Sequence, residues 1–437
     1  MTNEIIPHEP GNVISFSDAA KYQGLDSPHL ADDEKSESSK GPKWLAEWIT
    51  DDKGNPITNL HNVMVVLRND AALNNALVFD EMLGIDMLMV PLSGAPNPQQ
   101  FSPRPVDDHD ITRIQEYLQC VGLDKVSKGT VRDAVELRAR ENPFHPIQDY
   151  LGKLHWDGQK RVEKWMPTYL HAESTPYTER VGVMFLVAMI ARVLKPGCKF
   201  DYMLVLEGKQ GARKSTACAI LGGEFYSDHL PDVSGGKDVS QFLPGKWVIE
   251  VPELSALTNT EKNRLKAFIT RQTEQYRPSY GRKQVAQQRQ CVLIGTTNES
   301  SYLRDETGNR RFWPVKVGMI DTDALRKDRD QLLAEALHLF SQGTSWHPDR
   351  EFEREHILPE QESRLEPDPW EDTIREYLLA TKPERVYLSA LLENPLHIEP
   401  KLRRRAQQNR VAGILVRLGW TRLKKDSKGY FPWGPPS

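Results

Sequence analysis

An apolar run at 203–206 enters the stretch Gly208-Lys209-Gln210-Gly211-Ala212-Arg213-Lys214-Ser215-Thr216, and this junction constrains the fold more than any other segment. Met203, Leu204, Val205 and Leu206 are continuously apolar, as in a strand buried on both faces. The residues after it follow the template Gly-x4-Gly-Lys-Ser/Thr, a loop between a strand and a helix. In such a loop, successive backbone N–H groups and the helix N-terminus surround a β-phosphate. Lys214 is then expected to neutralise β/γ oxygens and Ser215 to ligate Mg²⁺. Gly208, Gln210, Gly211, Ala212, Arg213, Lys214, Ser215 and Thr216 are the candidate nucleotide contacts, with ATP and Mg²⁺ as ligands. Arg213 stands where the template has glycine. It must accept the local φ/ψ and turn its side chain away from the nucleotide. Taken alone, the loop also fits a strand–turn–helix with no ligand.

Two later apolar strands end in polar groups. Residues 247–251 lead into Glu250 and Glu253, two acids three apart. Glu250 suits the Mg²⁺ shell and Glu253 the polarisation of an attacking water, and the two roles could be exchanged. Residues 291–294 lead to Thr296, Thr297 and Asn298, of which Asn298 suits a sensor of the γ-phosphate. Arg310 and Arg311 follow in a loop, where an arginine could act across a subunit boundary; a salt-bridged surface pair is the bland alternative. Between acids and sensor, Arg277, Tyr280, Arg282 and Lys283 sit in a basic stretch that could direct a hairpin at a phosphate backbone. Strands alternating with helices over 166–345 indicate an α/β core with a mostly parallel sheet.

The flanks read differently. Residues 1–42 are polar and charged with few apolar anchors, as in a disordered or loosely attached arm. The N-terminus lacks a signal-peptide pattern. Residues 43–165 show helical spacing and predict a mainly helical domain, with Ser127 or Thr130 as a cap and Asn142-Pro143 as a stop. The longest apolar run, 181–194, carries Arg192 and is shorter than a membrane span needs; it predicts a buried helix and no membrane partner. Residues 346–368 are acidic, polar and Pro-bearing, and suit a solvated helix or linker. Cys120, Cys198, Cys218 and Cys291 lie far apart without metal-ligand spacing, which fits a reducing cytoplasm. Net charge is −4, so any polyanion contact must be local.

Such a patch lies near the C-terminus. Residues 401–430 hold ten Lys/Arg against one acid. Arg403, Arg410 and Arg417 recur every seven residues on an expected helix, and Lys424 and Lys425 lie in an expected hairpin. Three helices followed by a hairpin, over 369–437, predict a winged-helix-like domain that contacts DNA; a protein-docking module is the alternative.

The ordered motifs resemble those of the virulence-associated protein E family of phages, prophages and satellite elements, whose ATPase is related to superfamily-3 helicases and poxvirus-type primase–helicases. The resemblance rests on Asn142-Pro143-Phe144-His145-Pro146, Trp156-Asp157-Gly158 with Arg161, Pro196-Gly197-Cys198-Lys199, the Gly208–Thr216 loop, Glu250/Glu253, Thr296-Thr297-Asn298 and Gly308-Asn309-Arg310-Arg311-Phe312-Trp313-Pro314. It implies an AAA+/superfamily-3 helicase-like P-loop NTPase core, a ring that is hexameric in related helicases, and action on single-stranded or forked DNA beside other replication proteins. By position, it also implies DNA contact for Arg277, Tyr280, Arg282 and Lys283. The expectation is an ATP-dependent helicase or translocase. The alternatives are a DNA-binding replication or regulatory protein that uses nucleotide only to assemble, and a packaging or defence ATPase.

Overall fold

The computed structural model describes residues 43–436 apart from 96, 234–236, 277–284, 304–308, 367 and 428. The arm expected at 1–42 and the basic residues Arg277, Tyr280, Arg282 and Lys283 lie outside the described residues.

The first core gathers Val63 and Leu67 of α1 (Leu60–Asn69), Ile114 and Leu118 of α2 (Asp108–Cys120), and Val131 and Val135 of α3 (Lys128–Glu141). The Ser127 hydroxyl caps α3, accepting from the Thr130 N–H at 3.0 Å. Helices supply most of the regular structure here, as expected, and the region also carries a small sheet. Strands β1 (Leu77–Asp80) and β2 (Ile85–Leu88) form an antiparallel hairpin. Two-residue strands β3 (Arg104–Pro105) and β4 (Pro143–Phe144) flank them in the order β3-β2-β1-β4. Strands of two to four residues carry no readable alternation, so helical spacing dominated the sequence pattern. The hairpin turn is fixed locally. Asp80 accepts from the N–H groups of Met82 and Leu83 at 2.8 and 2.9 Å, and Gly84 takes a φ of +72°.

Packing changes near 145 rather than 165. Ile147 and Leu151 of α4 (Pro146–Lys153) and Trp165 of α5 (Trp165–Leu170) join the second core around α6 (Pro176–Leu194). The apolar run 181–194 lies in α6 and is buried. Among the described residues, no helix is long and apolar enough to cross a membrane.

Next come β5 (Met203–Glu207), α7 (Lys214–Gly222), β6 (Tyr226–Ser227), α8 (Lys237–Phe242), β7 (Val248–Val251) and α9 (Asn259–Ile269). A two-stranded hairpin follows, β8 (Thr273–Tyr276) with β9 (Val285–Gln288), then β10 (Val292–Thr297), β11 (Phe312–Lys316) and α10 (Thr322–Ser341). The sheet runs β11-β5-β10-β7-β6, and every pairing in it is parallel. The expected α/β core with a mostly parallel sheet is therefore present. Neither neighbour of β5 is its neighbour in sequence. Chain connections therefore part on either side of it, which leaves a crevice at the carboxyl end of the strand.

Residues 350–362 take the helical form of the expected helix or linker but are solvated on one face only. They are helical, bury Phe352 and Ile357 in the second core, and donate from the Gln361 amide to the Phe312 carbonyl at 2.7 Å. Their acids line the outer face and masked this inner one. The last core joins α11 (Pro369–Thr381), α12 (Leu388–Glu393) and α13 (Arg405–Arg417) through Ile374, Leu391, Leu392, Ile414 and Leu415. Trp433 closes it, on the hairpin of β12 (Thr421–Arg422) and β13 (Trp433–Gly434), and forms an antiparallel bridge with Val386.

Candidate functional site at the carboxyl edge of the sheet

The loop from Gly208 to Arg213 turns back on itself between β5 and α7. The Gly208 N–H donates to the Thr297 carbonyl at 3.2 Å, which ties the loop to the end of β10. A Cβ on Gly208 would lie 3.1 Å from both Val317 Cγ2 and the Val317 carbonyl oxygen, so the approach there admits little but glycine. Gly211 has φ +82°, and Arg213 takes the left-handed conformation at φ +64°. The arginine therefore accepts a conformation that favours glycine. Its guanidinium turns out of the loop and donates to the Thr322 hydroxyl at 3.1 Å.

Lys214 opens α7 and is buried, with 8 % of its surface exposed. Its ammonium donates to the carbonyls of Gly208 and Lys209 at 2.7 and 3.1 Å and to the Asn298 amide oxygen at 2.9 Å. Burial pulls its pKa below the usual lysine value, opposed by the charge of Glu250. Asn298 itself is exposed at the end of β10. The Ser215 hydroxyl donates to Glu250 Oε1 at 2.7 Å. Glu250 is fully buried and also accepts from the Thr296 hydroxyl at 2.7 Å and from the Tyr226 hydroxyl. Desolvation and this bond raise the tyrosine pKa far above its ordinary value.

Gly208, Gln210, Gly211, Ala212, Arg213, Lys214, Ser215, Thr216, Glu250 and Asn298 thus meet at one edge of the sheet. Glu253 lies at the same edge, exposed just beyond β7, with a left-handed φ of +48°. A non-glycine residue held there carries backbone strain of the kind found at functional sites. The arrangement offers an ammonium, a hydroxyl–carboxylate pair and the N-terminus of α7 around one cleft.

Tyr226 and Thr296 were not singled out by sequence. Tyr226 lies on a two-residue strand whose pairing with β7 no local pattern announces. Glu207, also unforeseen, is buried at the end of β5. It accepts from the Tyr302 hydroxyl at 2.8 Å and from Arg364 Nε at 3.1 Å. Burial raises its pKa, while Arg364 opposes the shift. An acid closing an otherwise apolar strand was the available signal.

Arg310 and Arg311 lie elsewhere. They immediately precede β11, whose Phe312 pairs with Met203 at the start of β5. One strand length, roughly 15 Å, separates that edge from the loop. Arg310 is exposed; Arg311 is half-buried, and its Nε has no hydrogen-bond partner among the described residues. Neither arginine pairs with a carboxylate among the described residues.

The heptad arginines are engaged within their own module. Arg410 bonds both oxygens of Asp368 at 2.8 Å and lies 3.8 Å from the Trp370 ring centre. Arg417 bonds Glu371 at 2.9 Å, and Arg403 bonds the Ile398 carbonyl at 2.8 Å and Glu393 at 3.2 Å. They form no free basic face, because acids just before and at the start of α11, and at the end of α12, face them. Lys424 and Lys425 are exposed without an ion pair among the described residues.

A family model for the virulence-associated protein E-like domain matches residues 151–366. No curated protein matches the chain. Among solved structures, an A-form apo structure of the NrS-1 C terminal region is 13 % identical, covering 87 % of this chain and 100 % of that one at a TM-score of 0.48. A second A-form apo structure of that region covers 83 % and 96 % at 13 % identity and a TM-score of 0.45. The matched residues of the family model contain β5, the loop, Lys214, Glu250 and Asn298. Residues 151–366 thus carry a virulence-associated protein E-like domain.

Proposed function

We propose that the chain is an ATP-dependent DNA helicase or translocase, working as a ring in the replication of a phage, prophage or satellite element. One observation carries the reading: Lys214 reaches Asn298 while Ser215 reaches Glu250, so three strand ends converge on one phosphate-sized loop. Loop N–H groups other than those of Gly208 and Ala212, which bond carbonyls, and the start of α7 favour a bound phosphate. On nucleotide entry Lys214 would exchange its two carbonyl partners for phosphate oxygens. Asn298 would keep it aimed across the cleft. The Ser215 hydroxyl and Glu250 carboxylate suit a hard divalent cation that takes few protein ligands beside substrate phosphates. Magnesium bound there would neutralise charge on the β- and γ-phosphate oxygens. Glu253, exposed beyond the strand, would accept a proton from the attacking water. Arg310 lies too far away to serve its own loop, and its exposure and its lack of an ion pair among the described residues support a role at a neighbouring subunit's loop, in a ring of six as in related helicases. The order of helices in 369–437, with the Val386–Trp433 bridge, supports a winged-helix reading of that module.

Displacement of a strand from a forked duplex, with ATP and with a non-hydrolysable analogue, tests the proposal. Displacement only with ATP is expected; ATP turnover without displacement would leave a packaging or defence ATPase. Arg213 favours a second reading, in which nucleotide serves assembly alone. It occupies a glycine position at φ +64° and bonds Thr322, which stiffens a loop that must adapt during turnover. ATP-dependent assembly without hydrolysis would decide for that reading.

A further inference from the structure

We propose that the tip of the C-terminal hairpin is a stacking site for unpaired nucleic-acid bases, with Tyr430 and Phe431 as its platform. The inference rests on the reading of DNA as partner and names which form of DNA this module holds.

Three observations point to it. First, the basic residues that a groove-reading helix would use are engaged internally: Arg403, Arg410 and Arg417 all bond groups of the same module. Within 401–430 the positive charge left without an ion pair among the described residues lies on Arg404, Arg405, Arg422, Lys424 and Lys425, all exposed. Second, two aromatic side chains adjacent in sequence stand in solvent on the hairpin that carries Lys424 and Lys425. Tyr430 is 63 % exposed and Phe431 44 %. A single exposed apolar residue needs no explanation, but two large rings on a basic turn are costly to leave in water. Third, the rings are held rather than loose. Asp426 accepts from the Tyr430 N–H at 2.9 Å and from the Tyr387 hydroxyl at 2.8 Å, and its own N–H donates to the Tyr430 carbonyl. The Tyr387 ring meets Tyr430 edge-on, with centroids 6.4 Å apart. The Arg422 guanidinium lies 4.0 Å from the Phe431 ring centre. The one acid of the 401–430 region is therefore turned into the turn's own bonding, and the rim stays basic.

Exposed aromatic rings on a hairpin that also carries Arg422, Lys424 and Lys425 match the physics of single-strand binding. Every base has a π-face, and each stacked base contributes about 1–3 kcal/mol while the cations track the backbone. In a duplex those faces are already covered by neighbouring bases, so the rings gain nothing there. A protein partner would be expected to bring acids to the same rim and is an outcome of the test.

The test uses the full-length protein without nucleotide, a fluorescent oligo-dT and a duplex of equal length, at matched oligomeric state. Tyr430→Ala is expected to weaken oligo-dT binding about tenfold, in the lower half of the per-base stacking range, and to change duplex binding less than twofold. Tyr430→Phe should keep wild-type affinity, because the ring remains. Tyr430→Ala combined with Phe431→Ala should lose more, and an unchanged thermal melt of the single variant guards against simple unfolding. Lys424→Gln with Lys425→Gln should weaken both ligands and flatten their salt dependence. Equal loss on single strand and duplex in Tyr430→Ala overturns the proposal. So does unchanged oligo-dT affinity, or a wild-type protein that binds no single strand. Absence of ATP hydrolysis would overturn the helicase reading and leave this result standing.

Discussion

The loop at 208–215 and the basic module at 401–430 both present positive charge at motif-like spacing, yet they use it in opposite ways. At the loop, Lys214 is held by neutral groups only, two carbonyls and an amide oxygen. Its charge has no ion-pair partner and can be taken over by a phosphate. In the C-terminal module, Arg410 already meets a carboxylate through two bonds and an aromatic face. A periodic charge on a helix says only which face it occupies. Whether that face is solvent, ligand or another helix depends on what packs there.

The comparison breaks first at the acids beside the loop. Glu253→Gln should bind ATP normally and hydrolyse it about 10²-fold or more slowly, the usual loss when a positioned base is removed. If Glu250→Gln shows that behaviour and Glu253→Gln turns over normally, the two roles are reversed. A second and smaller effect concerns Arg310, on the edge of the sheet away from the loop. Subunits carrying Arg310→Ala and subunits carrying Lys214→Ala should each be inactive alone. Mixed in one ring, some interfaces would pair an intact loop with an intact arginine, and a fraction of wild-type turnover should return. No recovery in verified mixed oligomers would make Arg310 a structural residue. The smallest effect separates the two kinds of C-terminal cation. Arg410→Ala should lower the stability of the module by about 1 kcal/mol, as for a partly exposed bidentate pair with a ring contact, and leave the salt slope of DNA binding unchanged. Lys424→Ala should leave the melt unchanged and reduce the slope by roughly 0.7 per lost contact on a single strand. A reversed pattern, read by calorimetry and by titration at several salt concentrations, would place the DNA face on the heptad arginines.

What the sequence made legible follows the same division. The continuous apolar runs of β5, β7 and β10 announced a parallel core, because strands buried on both faces leave no alternation to misread. The loop was legible because its function needs particular backbone conformations, and Gly211 and the Lys214–Ser215 pair sit in fixed order along the chain. Even the arginine that departs from the template was accommodated as required, by turning toward Thr322. The four-stranded sheet of the first core was not legible, since Arg104–Pro105 and Pro143–Phe144 are too short to carry a period. Tyr226 escaped for a related reason. Its hydroxyl matters only because β6 lies beside β7, and pairing between strands more than twenty residues apart is invisible to local patterns. Segment 350–362 misled through composition: its acids describe the outer face, whereas Phe352, Ile357 and Gln361 determine where it packs.

The central claim is that Lys214 serves a hydrolysed phosphate and not the fold. Steady-state ATP hydrolysis, with and without single-stranded DNA, compares the wild-type chain with Lys214→Ala at matched oligomeric state. The account predicts turnover in the wild type that single-stranded DNA stimulates, and none above background in the variant, whose thermal melt is unchanged. Equal turnover in the two proteins, or a wild type that binds ATP and never hydrolyses it, would contradict the account.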